Sequence, residues 1–190
     1  NLKLNPISVY NKTKMIAERV FLSFKDKIDI ICLRPATVCG VSERLRLDVT
    51  VNKLTFDGFF KKKIFVDGGD QIRPNIHMKD MVRVYDHFLE NKANIESGNY
   101  NAGFENLRIL EIAERVQQGT GAEIVVSESN DPRSYRQDSS KLLATGFEPQ
   151  FSVQSAIDEI STAYKNGELP DGDNCYTVKW MKKLQLEANR

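Results

Sequence analysis

At 190 residues, with 41% hydrophobic and 28% charged side chains, the chain is long enough to bury a core and has the size of one globular domain, which excludes a disordered or fibrous protein. The formal net charge is +1 and the 27 basic residues are spread along the chain without the sustained stripe that a phosphate backbone requires, so no nucleic-acid partner is expected. Cys32, Cys39 and Cys175 are odd in number and lack metal-ligand spacing, no run approaches a membrane span, and no signal-peptide pattern stands at the N-terminus; a cytoplasmic protein with neither disulfides, metal nor membrane partner is expected.

Pro6 and Ser8 stand ahead of Val9, Ile16, Val20, Phe21 and Phe24, whose spacing predicts a helix from Val9 to about Lys25. Ile28 to Leu33 is a short run rich in β-branched residues, stopped by Arg34-Pro35, and reads as a strand buried on both faces of a parallel sheet. A helix feeding such a strand suggests an α/β fold. Ala36 to Arg46 reads as loop, Leu47 to Phe60 as helix, and Ile64 to Val66 as a strand closed by Gly68-Gly69-Asp70. Helices are predicted at Ile76 to Asn91, Leu107 to Gln118 and Val153 to Asn166, and strands at Gly98 to Ala102 and Glu123 to Val126. The tail, 168–190, opens on turn chemistry at Pro170-Asp171-Gly172-Asp173 and carries Trp180 in a charged helical stretch; it reads as an arm or dimer element.

Tyr10 and Lys14 lie four apart on the first helix, so their side chains leave one face within reach of a common ligand. A phenol is a poor base at neutral pH, but a neighbouring ammonium favours its phenolate, which could exchange a proton with a sugar hydroxyl. Alone, the pair also fits an ordinary solvated helix face. Its surroundings add to it: Pro6-Ile7-Ser8-Val9-Tyr10-Asn11-Lys12-Thr13-Lys14 is followed by a helix and then by Leu33-Arg34-Pro35-Ala36-Thr37-Val38-Cys39-Gly40. This order resembles the extended short-chain dehydrogenase/reductase family, whose members include NAD-dependent nucleotide-sugar epimerases and dehydratases. The resemblance implies that Tyr10 is the acid/base, that Lys14 holds the nicotinamide ribose, and that Pro35, Ala36 and Thr37 border the cofactor.

Two further stretches match in order. Gly69-Asp70-Gln71-Ile72-Arg73-Pro74-Asn75-Ile76-His77 resembles the segment in which an arginine meets the substrate diphosphate, a task suited to the donor fork of Arg73; His77 reads as structural. Asn130-Asp131-Pro132-Arg133-Ser134-Tyr135 is similar to the loop that closes on the nucleotide, which implies contacts from Asp131, Arg133 and Tyr135. In many epimerases an arginine stands three residues before that aspartate; here Glu128 does, so the diphosphate grip must differ.

What the resemblance implies is an α/β fold: the C-terminal part of a doubly wound, Rossmann-like parallel sheet with a small α/β substrate-binding domain. Residues 1–45 would belong to the cofactor domain, interleaved with 46–167, mostly the substrate domain, ahead of the 168–190 tail. The implied cofactor is NAD, with NADP as the alternative, and the implied partners are a nucleotide sugar and a second copy through the apolar face of Ile16 to Phe24; a buried core face is the competing explanation. No glycine-rich strand-to-helix turn of the kind that cradles a pyrophosphate occurs in these residues. The chain is therefore expected to be part of a longer enzyme and to bind NAD weakly by itself. The rival expectation is a non-catalytic nucleotide-sugar-binding or assembly subunit.

Overall fold

The structure, a computed structural model, describes Pro6 and residues 8–129, 133–169 and 171–184. Helix α1 spans Val9–Leu22 and begins where the Ser8 side chain accepts a hydrogen bond from the Asn11 amide at 3.1 Å, the N-cap that its sequence offers. It ends three residues short of the expected boundary, where Ser23 caps it and the chain turns. Strand β1 (Ile31–Pro35) pairs in parallel with β5 (Gly98–Ala102), Ile31 facing Gly98 and Pro35 facing Ala102. Among the described residues β1 has no other strand partner and is only partly buried, so the expectation of a strand covered on both faces is not met within this chain.

The loop expected at Ala36 to Arg46 contains a strand, β2 (Thr37–Cys39), parallel to β4 (Ile72–His77); β4 in turn runs antiparallel to β6 (Glu105–Arg108). Strand β3 (Lys63–Asp67) pairs in parallel with β7 (Glu123–Ser127). The helices between them are α2 (Thr50–Phe56), α3 (Met78–Glu90), α4 (Ile109–Thr120), the short α5 (Ser140–Leu143), α6 (Val153–Lys165) and α7 (Thr177–Lys183). Instead of continuing to Phe60 as one α-helix, α2 widens into a π turn at Asp57–Lys61 and stops at Lys62, which takes left-handed φ. This is a mixed α/β fold with parallel pairing across the chain.

Helices α2, α4 and α6 pack with β3 around Val51, Ile64, Ile112 and Ile157, whereas Val84 and Phe88 of α3 pack with Tyr100 and Ala102 of β5. The tail does not extend as an arm over its described length. The Leu47 amide donates to the Cys175 carbonyl and the Thr177 amide to Asp48, which seats Cys175 against Leu45 and Leu47. By contrast, α1 buries no residue, and Ile16, Val20, Phe21 and Phe24 all stay about half exposed, so this face is not a core face of the described chain.

Candidate active site

Tyr10 sits in the first turn of α1, 67% exposed, and the Lys14 Nζ lies 5.3 Å from its ring centroid. A polar clamp ties helix α1 to the sheet. Glu18, one turn beyond Lys14, accepts from Arg34 Nε at 2.7 Å and Nη2 at 2.5 Å, and from the Asn99 amide at 3.0 Å. The clamp raises the pKa of the Arg34 guanidinium through its bond to Glu18. Between α1 and the end of β1 lies a cleft of about 770 Å³ whose wall includes Tyr10, Lys14, Phe21, Leu33 and Pro35.

A second cleft, of about 530 Å³, is lined by Thr37, Lys53, Arg73, Arg133 and Tyr135. Phe65, Val66 and Asp67 at the end of β3 also line it, as does Ser129 after β7. Two hydrogen bonds lace the late segment that follows β7 to β4: the Tyr135 amide donates to the Ile72 carbonyl and the Ile72 amide to Ser134 Oγ. Arg73 also donates to the Arg133 carbonyl, and its guanidinium carbon lies 5.7 Å from the Tyr135 ring centroid.

The link between β1 and β2, the single residue Ala36, therefore lies between the two clefts, with Pro35 lining one and Thr37 the other. Ala36 between them donates its amide to the Ala102 carbonyl. Gln137 braces this link from the late segment: its Nε2 donates to the Arg34 carbonyl at 2.6 Å, while its backbone amide donates to Asn106 Oδ1. Gly103 closes the gap, since a Cβ there would come within 2.5 Å of the Ala36 Cβ and 2.6 Å of Gln137 Oε1.

The structure thus groups Tyr10, Lys14 and Pro35 in one cleft and Thr37, Arg73, Arg133 and Tyr135 in the other; Asp131 lies outside the described residues. His77 lines neither cleft. It is buried, its Nδ1 accepts from the Lys79 amide as the N-cap of α3, and burial holds its pKa below the usual histidine value against the opposing pull of Glu159. Sequence reasoning passed over Lys53, Glu18 and Gln137. Glu18 was within reach, four residues after Lys14 on the same helix; nothing in the sequence points from Gln137 to Arg34, which are 103 residues apart. Among the described residues no group of three or more histidine, cysteine or carboxylate side chains could hold a metal, and no helix is long and apolar enough to cross a membrane.

The model of the NAD dependent epimerase/dehydratase family matches residues 1–103. A curated relative, UDP-glucose 4-epimerase of Lactobacillus helveticus, is 29% identical over an alignment that covers 85% of this chain and 56% of that protein. The structure of UDP-glucuronic acid 4-epimerase from Bacillus cereus in complex with UDP-glucuronic acid and NAD superposes with a TM-score of 0.74 at 26% identity, covering 87% of this chain and 55% of that one. UDP-N-acetylglucosamine 4-epimerase from the same organism shares the fold, with a TM-score of 0.73 at 22% identity over 90% of this chain and 59% of that one. The chain spans a little over half the length of these relatives.

Proposed function

The chain belongs to the NAD dependent epimerase/dehydratase family, and from that membership we propose that its residues serve the epimerisation or dehydration of a nucleotide-activated sugar through a transient keto-sugar, with NAD as cofactor. The observation that carries this reading is the extended stretch Pro35 to Thr37, whose first residue lines the Tyr10 and Lys14 cleft and whose last lines a cleft with cationic and aromatic side chains. The first cleft has the volume for a cofactor ring, and its wall combines a phenol, an ammonium and apolar side chains. Bound NAD would supply a reversible hydride acceptor.

In this reading Tyr10 takes the proton of the sugar hydroxyl as the carbon beneath it is oxidised, and returns it when the ketone is reduced. The Lys14 ammonium stabilises the phenolate and holds the nicotinamide ribose, and Pro35 borders the ring, with Ala36 and Thr37 leading on to the second cleft. Arg73, Arg133 and Tyr135, with Asp131, grip the nucleotide end, which leaves the sugar pointing toward Ala36 and Tyr10. Relatives whose names include UDP-glucose and UDP-glucuronic acid support a uridine nucleotide. The half-exposed apolar residues of α1 would pair with a second copy to form a homodimer.

Substitution tests the proton step. In a protein that joins these residues to a glycine-rich pyrophosphate loop, Tyr10→Phe lowers kcat by about 10² to 10⁴ while nucleotide-sugar affinity is kept; an unchanged kcat would refute the assignment. The 190 residues alone are expected to bind the nucleotide sugar and to hold NAD weakly, and tight stoichiometric NAD binding measured by calorimetry would contradict that.

A further inference from the structure

Lys53 lies on the wall of the second cleft with Arg73 and Arg133, in the last full turn of α2 before the π turn. Its ammonium bonds Asp57 Oδ2 at 2.5 Å. The Asp57 carboxylate is almost wholly buried, 1% exposed, and its other oxygen meets Lys61 at 2.7 Å. Two lysines at i−4 and i+4 thus share one carboxylate, and the trio carries one surplus positive charge. Stripping a buried carboxylate of its partner is strongly destabilising. Here Lys61 stays in place, its pKa raised by that bond, so Lys53 can leave Asp57 without orphaning it.

Among the described residues, the ionisable side chains that line the cleft are Lys53, Arg73 and Arg133 together with Asp48 and Asp67. Both carboxylates are engaged at hydrogen-bond distance. Asp48 accepts from Arg46 Nε at 2.9 Å and from the Thr177 amide at 3.0 Å, and Asp67 accepts from Ser127 Oγ at 2.8 Å. Lys53 therefore has a partner it can give up, and it stands on the wall of the cleft that Arg73 also lines.

We propose that Lys53 is a substrate-binding residue that swings from Asp57 onto the diphosphate of a nucleoside diphosphate in this cleft, beside Arg73; the inference rests on the nucleotide-sugar reading of the site. Asp57 is then a positioning residue, which parks the ammonium at the cleft wall until the ligand arrives. Charge-assisted bonds of this kind change affinity by about ten- to hundredfold.

The test is calorimetric titration of the protein with UDP and with UMP. Lys53→Gln is expected to weaken UDP by about ten- to hundredfold and UMP far less, whereas Lys53→Arg keeps UDP affinity and Asp57→Asn does not lower it. In wild-type protein with isotope-methylated lysines, UDP should shift the Lys53 methyl resonance and leave that of Lys61 in place, a readout independent of how the variants fold. UDP binding that Arg73→Gln weakens but Lys53→Gln leaves alone would overturn the role of Lys53 and leave the site standing; so would equal losses for UDP and UMP. A wild-type protein that binds no UDP, or binds it indifferently to Arg73→Gln, would bring down the site and the inference together.

Discussion

Replacing Glu18 with alanine removes the acceptor of three hydrogen bonds, two from the Arg34 guanidinium and one from Asn99. No other polar contact of this kind ties α1 to the sheet among the hydrogen bonds of the described residues, and besides Glu18 only Met15 and Leu22 of α1 are even partly buried. The Glu18 side chain is only 14% exposed and that of Arg34 33%, so solvent screens the pair incompletely. Charge-assisted bonds contribute about 1.5–3 kcal/mol each, but the two to Arg34 are not additive, and the partial exposure of Arg34 discounts them; a net loss of about 3 kcal/mol follows. That energy corresponds to on the order of a hundredfold in the equilibrium for lifting α1 off the sheet. Amide hydrogen exchange followed by mass spectrometry reads it directly: exchange in peptides covering α1 should accelerate by about that factor, with β3 and β7 unchanged. Unaltered protection of α1 would show that the clamp does not hold the helix, and the placement of Tyr10 and Lys14 would lose its physical cause.

Gly103→Ala forces a methyl between Ala36 and Gln137, with atoms only 2.5 and 2.6 Å away, and is expected to destabilise the protein by about 1–3 kcal/mol in urea denaturation; a neutral effect would mean that the link at Ala36 and the late segment are not packed against each other. Burial lowers the pKa of His77 in the folded chain below the unfolded value near 6.5, so as pH falls through that value the unfolded chain takes up a proton that the folded chain refuses. Stability should therefore fall on acidification from about pH 7, by at most about 1.4 kcal/mol per pH unit from this group. His77→Asn, which keeps an N-cap acceptor, should flatten that slope in denaturation curves; an identical slope in the variant would assign the pH dependence elsewhere.

Strand β5 and helix α6 were legible nearly to the residue because each is bounded by its own signals. Gly98 starts the first, and Ser152 caps the second through a capping box with Ser155. Strands β2, β4 and β6 were not legible. All three are short and exist because remote segments supply their hydrogen bonds; β4 and β6 contain Asn75, Glu105 and Asn106 rather than an apolar alternation, and Pro74 inside β4 argued against a strand at all. The apolar stripe of α1 read as core or interface, and only the folded structure shows that the described chain leaves it uncovered. At the site, four-residue spacing made Tyr10 and Lys14 visible. Lys53 was invisible because its meaning depends on a buried Asp57 and on a late segment that folds beside it from 80 residues downstream.

The central claim, that these residues form the nucleotide-sugar and acid/base halves of one site, is tested most directly by titrating isotope-labelled protein with UDP-glucose and following its backbone amide resonances. Saturable shifts are expected, confined to Thr37, Lys53, Arg73 and Tyr135 and to the link at Ala36, extending toward Tyr10. Shifts that cluster elsewhere, or a spectrum that does not change, would contradict it.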